Sequence, residues 1–231
     1  MRRNPDAGEP AGAAVLGANV APARGERTQR RGDRRREALL RAAAELIERL
    51  PLPEVSYAAV CSRAGVPPSS AYHFYTDLDA IYRVLLEADR VALDATLMRP
   101  LSPRQVRSWQ SVIESLVGRA ARHHHRHPAA AKLAIGGLTP PHLKRVGREA
   151  DRVRAGQALR MLERLFVLPP IRHRQRVAFL TAEIVDAVFT AAMIEAGRIT
   201  PAYVALAKSA AVGFLARYLG TRRLPRARHR R

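Results

Sequence analysis

A single cysteine, Cys61, excludes any intrachain disulfide. With no second thiol in the chain to resolve an oxidised one, it is read as a small packed side chain inside a helix. The usual marks of an enzyme are missing: there is no glycine-rich phosphate loop after a strand, no nucleophile motif and no metal triad. No uncharged run is long enough to cross a bilayer, and even the apolar C-terminal segment carries Lys208 and Arg217. No strand-period segment or internal repeat stands out. Acidic residues are scarce, 20 against 40 Lys and Arg, for a formal net charge of +20. No membrane partner, cofactor or metal is expected, and the chain reads as an all-helical cytoplasmic protein that binds rather than catalyses.

What is present is a helix-turn-helix. In the segment 56–75, SYAAVCSRAGVPPSSAYHFY, Ser56 is an N-cap. Gly65 takes the left-handed turn that glycine reaches without steric cost. Pro67 and Pro68 fit only the first turn of a second helix. That helix presents Ser69, Ser70, Tyr72 and His73, a set of donors and acceptors suited to a DNA major groove. Upstream, Leu39, Leu40, Ala43, Leu46, Ile47 and Leu50 recur on one helical face. Downstream, Asp77 caps a further helix carrying Ala80, Ile81, Val84 and Leu85.

The runs EALLRAAAELIERL, SRAGVPPSSAYHFY and TDLDAIYRVLLE resemble the DNA-binding domain of the TetR family of transcriptional regulators over about Arg34 to Glu87. The resemblance implies a homodimer that binds a palindromic operator on double-stranded DNA and leaves it when a small-molecule effector enters a separate helical domain. By the same resemblance Ser56, Ser70 and Tyr72 match phosphate contacts and His73 a base or backbone contact. The alternatives are that Ser56 only caps and Tyr72 only packs. Three positions depart from the family pattern: Pro68 stands where a polar or basic residue is common, Ala71 where a larger apolar one is usual, and Leu78 where a lysine is frequent.

The charge is unevenly spread. Residues 37–98 hold five Arg against nine acids, so the reading head is not itself basic. Arg34, Arg35 and Arg36, just before the first apolar stripe, are candidates for supplying the missing phosphate attraction, with a loose basic tail as the alternative. Residues 99–176 hold 17 Lys or Arg against four acids. Most belong on solvated faces, and some are candidates for attracting an anionic effector.

The expected organisation is a flexible basic extension over 1–33, the helix-turn-helix domain over 34–87, a larger helical ligand-binding and dimerisation domain over 88–220, and a basic tail over 221–231. Arg2-Arg3 before the apolar run 11–20 suggests a signal peptide, but Asp6, Glu9 and the weak apolarity of the run argue against one. Helices are expected near 104–126, 128–135, 141–166, 171–196 and 201–219. On the last two, Ile184, Val188, Leu206, Ala210 and Phe214 are candidate dimer contacts, with an ordinary intramolecular core as the alternative. Glu183, Asp186 and Thr190 share one face of an apolar helix, and with Trp109 and Phe179 as walls they form a candidate ligand site; a solvated stripe is the alternative. His123 and His127 share a helix face, but two ligands are too few for a metal and no carboxylate or thiol stands at helical spacing from them. The competing reading of the whole chain is a basic nucleic-acid binder of weak specificity.

Overall fold

The computed structural model describes residues 24–227. Among them lie nine α-helices and one short 3-10 turn, and no β-strand beyond an isolated bridge. The helices are α1 (Arg24–Arg49), α2 (Tyr57–Ala64), α3 (Pro68–Ala71), α4 (Leu78–Leu97), α5 (Trp109–Arg126), α6 (Pro128–Ile135), α7 (Pro141–Leu165), α8 (Arg174–Ala196) and α9 (Pro201–Leu219).

Local chemistry sets the boundaries. Ser56 Oγ accepts the Ala59 N–H at 3.1 Å and starts α2. Gly65 ends it at φ 63°, in the left-handed region. A Cβ there would meet nothing within 4 Å, so only the backbone demands glycine. Another residue at that φ costs about 1–2 kcal/mol. Asp77 Oδ1 accepts the Ala80 N–H at 2.7 Å and opens α4, and Ser108 Oγ caps α5 through the Ser111 N–H at 3.2 Å. Pro128, Pro141 and Pro201 each sit in the first turn of their helix, where a missing N–H costs nothing.

Two apolar cores result. The first joins Leu39 and Ile47 of α1, Val60 and Cys61 of α2, Ala71 of α3 and Ile81 of α4. The second gathers Trp109 and Val112 of α5, Phe166, Phe189 of α8, and Ala207 and Ala211 of α9. Each fully buried side chain of leucine size contributes about 1.5–3 kcal/mol. The expected division after Glu87 falls inside α4, which gives Ile81 and Tyr82 to the first core and Leu93 and Leu97 to the second. Of the described helices, α8 has the length and apolarity of a membrane span. Val177, Thr181, Val185, Phe189 and Ala192 of this helix are buried within the protein.

Two expectations at helix starts change. Helix α1 begins at Arg24, so residues 24–33 are helical rather than a loose extension, and Arg34, Arg35 and Arg36 lie inside the helix. Arg, Glu and Gln are good helix formers, but without an apolar stripe they gave no periodic signal. Helix α5 starts at Trp109 rather than near residue 104, because Ser108 is the cap. Part of the C-terminal tail is pinned: the Val167 N–H donates to Pro225 O at 2.8 Å and the Ala227 N–H to Leu165 O at 3.2 Å. Arg226 stacks its guanidinium 5.0 Å from the Phe166 ring centroid. The expectations for residues 1–23 and for the last four residues of the tail lie outside the described residues.

Candidate functional site

The head presents its polar set outward. Ser56, Ser69, Tyr72 and His73 are exposed, and Ser70 is half-buried. Only four residues of the reading segment are α-helix, but the chain winds on, with the Tyr75 N–H bonded to Ala71 O at 3.0 Å. Tyr72 is 56% exposed and stacks on Tyr57 with ring centroids 5.0 Å apart. Tyr57 is anchored in turn, its hydroxyl donating to Tyr75 O at 2.6 Å. The Tyr72 ring is therefore held by one face while its phenol faces solvent. Arg35 Nη1 donates to Ser70 Oγ at 3.2 Å, and the Arg36 guanidinium lies 5.8 Å from the Phe74 ring centroid. These two arginines stand beside the reading segment, while Arg34 is exposed on α1. Two of the departures have structural explanations: Ala71 is fully buried, and Leu78 packs against the first core instead of offering a charge. Pro68 is exposed at the start of α3.

The body encloses a cavity of about 140 Å³. Its walls are mostly apolar, among them Leu93 of α4, Ile113 and Leu116 of α5, Leu162 of α7 and Val185 of α8. An adjoining cleft of about 350 Å³ shares Leu93, His124, Asp151, Arg154 and Asp186 with it, and also holds Glu183 and Thr190. The polar trio Glu183, Asp186 and Thr190 thus faces a shared space, while the expected walls do not. Trp109 is fully buried in the second core and Phe179 packs under the Arg152 guanidinium at 5.1 Å; neither lines this cavity or cleft.

One carboxylate oxygen from each of Asp151, Glu183 and Asp186 lies within 4.8 Å of the others. Arg148 donates to Glu183 at 2.7 Å. Arg154 donates to Asp94 at 2.7 Å and also bonds Asp151. Burial, then the charge of Asp151, pushes the Asp186 carboxyl up to about 7, against the pull of Arg154. Much of the basic block is occupied elsewhere: Arg119 donates to the carbonyls of Leu97 and Pro100 at 3.0 and 2.8 Å, and Arg174 pairs with Glu163 at 3.0 Å. Two arginines, Arg154 and Arg174, do line the cavity, but each is already engaged by a carboxylate, and Asp151 and Asp186 stand beside them.

The histidines divide by role. His123 is 1% exposed and its Nε2 lies 2.8 Å from Asp89 Oδ1. The carboxylate partner comes from α4, 34 residues away, which no helical spacing reveals. The His127 ring lies tilted against that of His123, with centroids 4.5 Å apart. Burial, then the charges of His123, Arg154 and His127, drives the His124 imidazole down to about 3. Its Nδ1 is buried without a hydrogen-bond partner.

A folded value below the unfolded 6.5 means that the unfolded state binds the proton more readily. The stability tied to neutral His124 is fully present above pH 6.5 and is lost as pH falls towards 3. Asp186 acts in the opposite sense, its contribution being lost as pH rises through about 7. The readout is therefore a difference: between pH 6.5 and 4, urea unfolding loses up to about 1.4 kcal/mol per pH unit more in the wild type than in His124→Asn. Parallel curves for the two proteins would contradict this assignment.

The candidate dimer contacts lie on the outer helices. Ile184, Val188, Ala210 and Phe214 are half-buried and Leu206 is 57% exposed. Leu180, Ile194 and Tyr218 add exposed apolar surface to the same two helices.

The described residues thus form an all-helical chain with a helix-turn-helix head and a hollow helical body. Residues 107–219 match the family described as Tetracyclin repressor-like, C-terminal domain. The fold is similar to a tetR-family transcriptional regulator from Streptomyces coelicolor, at 20% identity, 80% of each chain and a TM-score of 0.55. It is similar as well to a TetR transcriptional regulator from Rhodococcus sp. RHA1, at 19% identity over 81% of this chain and 97% of that one, TM-score 0.53. A third, from Streptococcus agalactiae, has 12% identity over 79% of this chain and 98% of that one, TM-score 0.55. No protein of curated function matches the chain. Over residues 107–219 the chain is thus similar to this family, and its fold is that of these solved structures.

Proposed function

We propose that the protein is a ligand-responsive repressor that acts in the cytoplasm, binding a palindromic operator as a homodimer and releasing it when a small molecule occupies the body. The observation that carries the reading is the join between cavity and head. His124, which lines the cavity, lies on the last turn of α5, and the His127 N–H bonds the carbonyls of His123 and His124 as the chain turns into α6. From α6, Lys132 Nζ donates to the carbonyls of Ile47 and Glu48 at 2.8 and 2.6 Å, at the C-terminal end of α1. Helix α4 runs from the head core past the cavity at Leu93 and Leu97. A ligand that parts α4 and α5 therefore acts on elements bonded into the head.

In this reading Ser69, Ser70 and His73 enter the major groove, while Ser56, Tyr72, Arg34, Arg35 and Arg36 meet phosphates. The apolar faces of α8 and α9, with Ile184, Val188, Leu206, Ala210 and Phe214, pair with the same helices of a second chain and set the spacing of the half-sites. Effector binding favours a dimer whose heads no longer match successive major grooves.

Footprinting in excess competitor DNA tests the function. Protection of one short palindrome, with a dimer in sedimentation at micromolar concentration, is the expected outcome. Protection spread over all sequences and lost steeply with salt would indicate a charge-driven binder instead.

A further inference from the structure

Where the cavity meets the cleft, the carboxylates of Asp151, Glu183 and Asp186 come together, and the arginines beside them are already engaged: Arg148 by Glu183, and Arg154 by Asp94 and Asp151. Arg174, the other arginine on the cavity wall, pairs with Glu163, while Arg83, Arg90 and Lys144 line the cleft. Among the described residues no hydrogen bond or ion pair reaches the Asp186 carboxylate, which stands with Asp151 and Glu183 in one cluster. A carboxylate partly withdrawn from water needs a proton or a cation beside it.

A second, independent sign comes from α5. His124 is 5% exposed, its Nδ1 has no partner, and it lines both the cavity and the cleft alongside Asp151, Arg154 and Asp186. Held neutral, its imidazole offers a lone pair to an N–H donor and no charge to an anion. The remaining wall is apolar, from Leu93 across Ile113 and Leu116 to Leu162 and Val185. A dry cavity of about 150 Å³ holds one benzene ring, so the space here takes a ring or a short alkyl chain.

On the effector-cavity reading above, we propose that the effector is an amphiphilic organic cation, with its apolar body among α4, α5, α7, α8 and α9 and its ammonium group at Asp186, within the Asp151–Glu183–Asp186 cluster. The His124 side chain lines the same space. A bare divalent ion has use for the carboxylates but none for the apolar walls that adjoin them.

The test is calorimetric titration of the full chain with three probes of one shape: benzylamine, benzyl alcohol and benzoate. The amine binds at least tenfold more tightly than the other two, and Asp186→Asn abolishes that preference while leaving the alcohol affinity unchanged, which also reports that the cavity is intact. Glu183→Gln weakens the amine by a smaller factor.

Amine affinity rises between pH 6 and 8 as Asp186 gives up its proton. The groups around it are Asp151 and Arg154 of α7, Glu183 of α8, Asp94 of α4 and His124 of α5. Titrations with magnesium, manganese and zinc chlorides form the metal arm. Stoichiometric binding of one of these ions, lost in Asp186→Asn, overturns the organic cation in favour of a metal. Equal or tighter binding of the carboxylate or the alcohol, or an amine affinity untouched by Asp186→Asn, overturns the charge assignment and leaves the effector cavity standing. Binding of none of the three probes overturns both.

Discussion

Replacing Tyr72 and His73 together with alanine lowers affinity for the operator about a hundredfold, while the unfolding midpoint stays near that of the wild type. The size follows from a hydrogen bond of Tyr72 to a phosphate, worth about 1.5–3 kcal/mol, and a groove contact of His73 at about 1–3 kcal/mol. The small cost in stability follows from exposure: both side chains face solvent, and Tyr72 keeps only the stack on Tyr57 against the protein. Changing Tyr57 to Phe removes the hydroxyl that anchors the stack to Tyr75 O and lowers affinity by a smaller factor. Arg35→Ala behaves differently, weakening all sequences alike and reducing the salt slope by about one. Fluorescence anisotropy on the footprinted site at several salt concentrations separates the two behaviours. An affinity unchanged in the double variant would remove this segment from DNA contact.

The largest loss of stability is expected from Asp89→Ala, at about 3 kcal/mol. Both members of the His123–Asp89 pair are buried, at 1% and 7% side-chain exposure, and lie 2.8 Å apart. Removing the carboxylate leaves the His123 Nε2 withdrawn from water with nothing to bond, and the cost of that stranded group exceeds what the bond itself contributes. Asp89→Asn keeps the shape and a hydrogen-bonding group, so its loss is smaller. Urea denaturation of the three proteins at pH 7 measures the series, and an Asp89→Ala loss below about 1 kcal/mol would show that the pair is dispensable.

Elements whose cause is local were legible in the sequence. Ser56, Gly65 and Asp77 act as expected because capping and a left-handed turn depend on a few neighbouring atoms. The helices of the body were bracketed by prolines in the same way. The Glu183–Asp186–Thr190 face was legible from helical spacing, and it does line the cleft. What spacing could not show was which helix comes opposite. Asp89 meets His123 across 34 residues of chain, and Asp94 meets Arg154 across 60. Trp109 was expected at a wall because it is large and apolar, and the same properties place it in the core. Residues 24–33 were expected as a loose extension because their helicity rests on propensity without an apolar face.

Helix α6 has only eight residues, yet it sends Ala129 and Leu133 into the head's core and Ala131 and Ile135 into the core of the body. Neither core is complete without it, so the boundary between them is a shared wall and not a linker. Melting of the two parts is therefore coupled: a calorimetric trace shows one transition, not two, and a fragment cut after Glu87 leaves the head's core without Ala129 and Leu133. Evolution of such a protein cannot exchange heads as modules; a new head must bring its matching α6 with it.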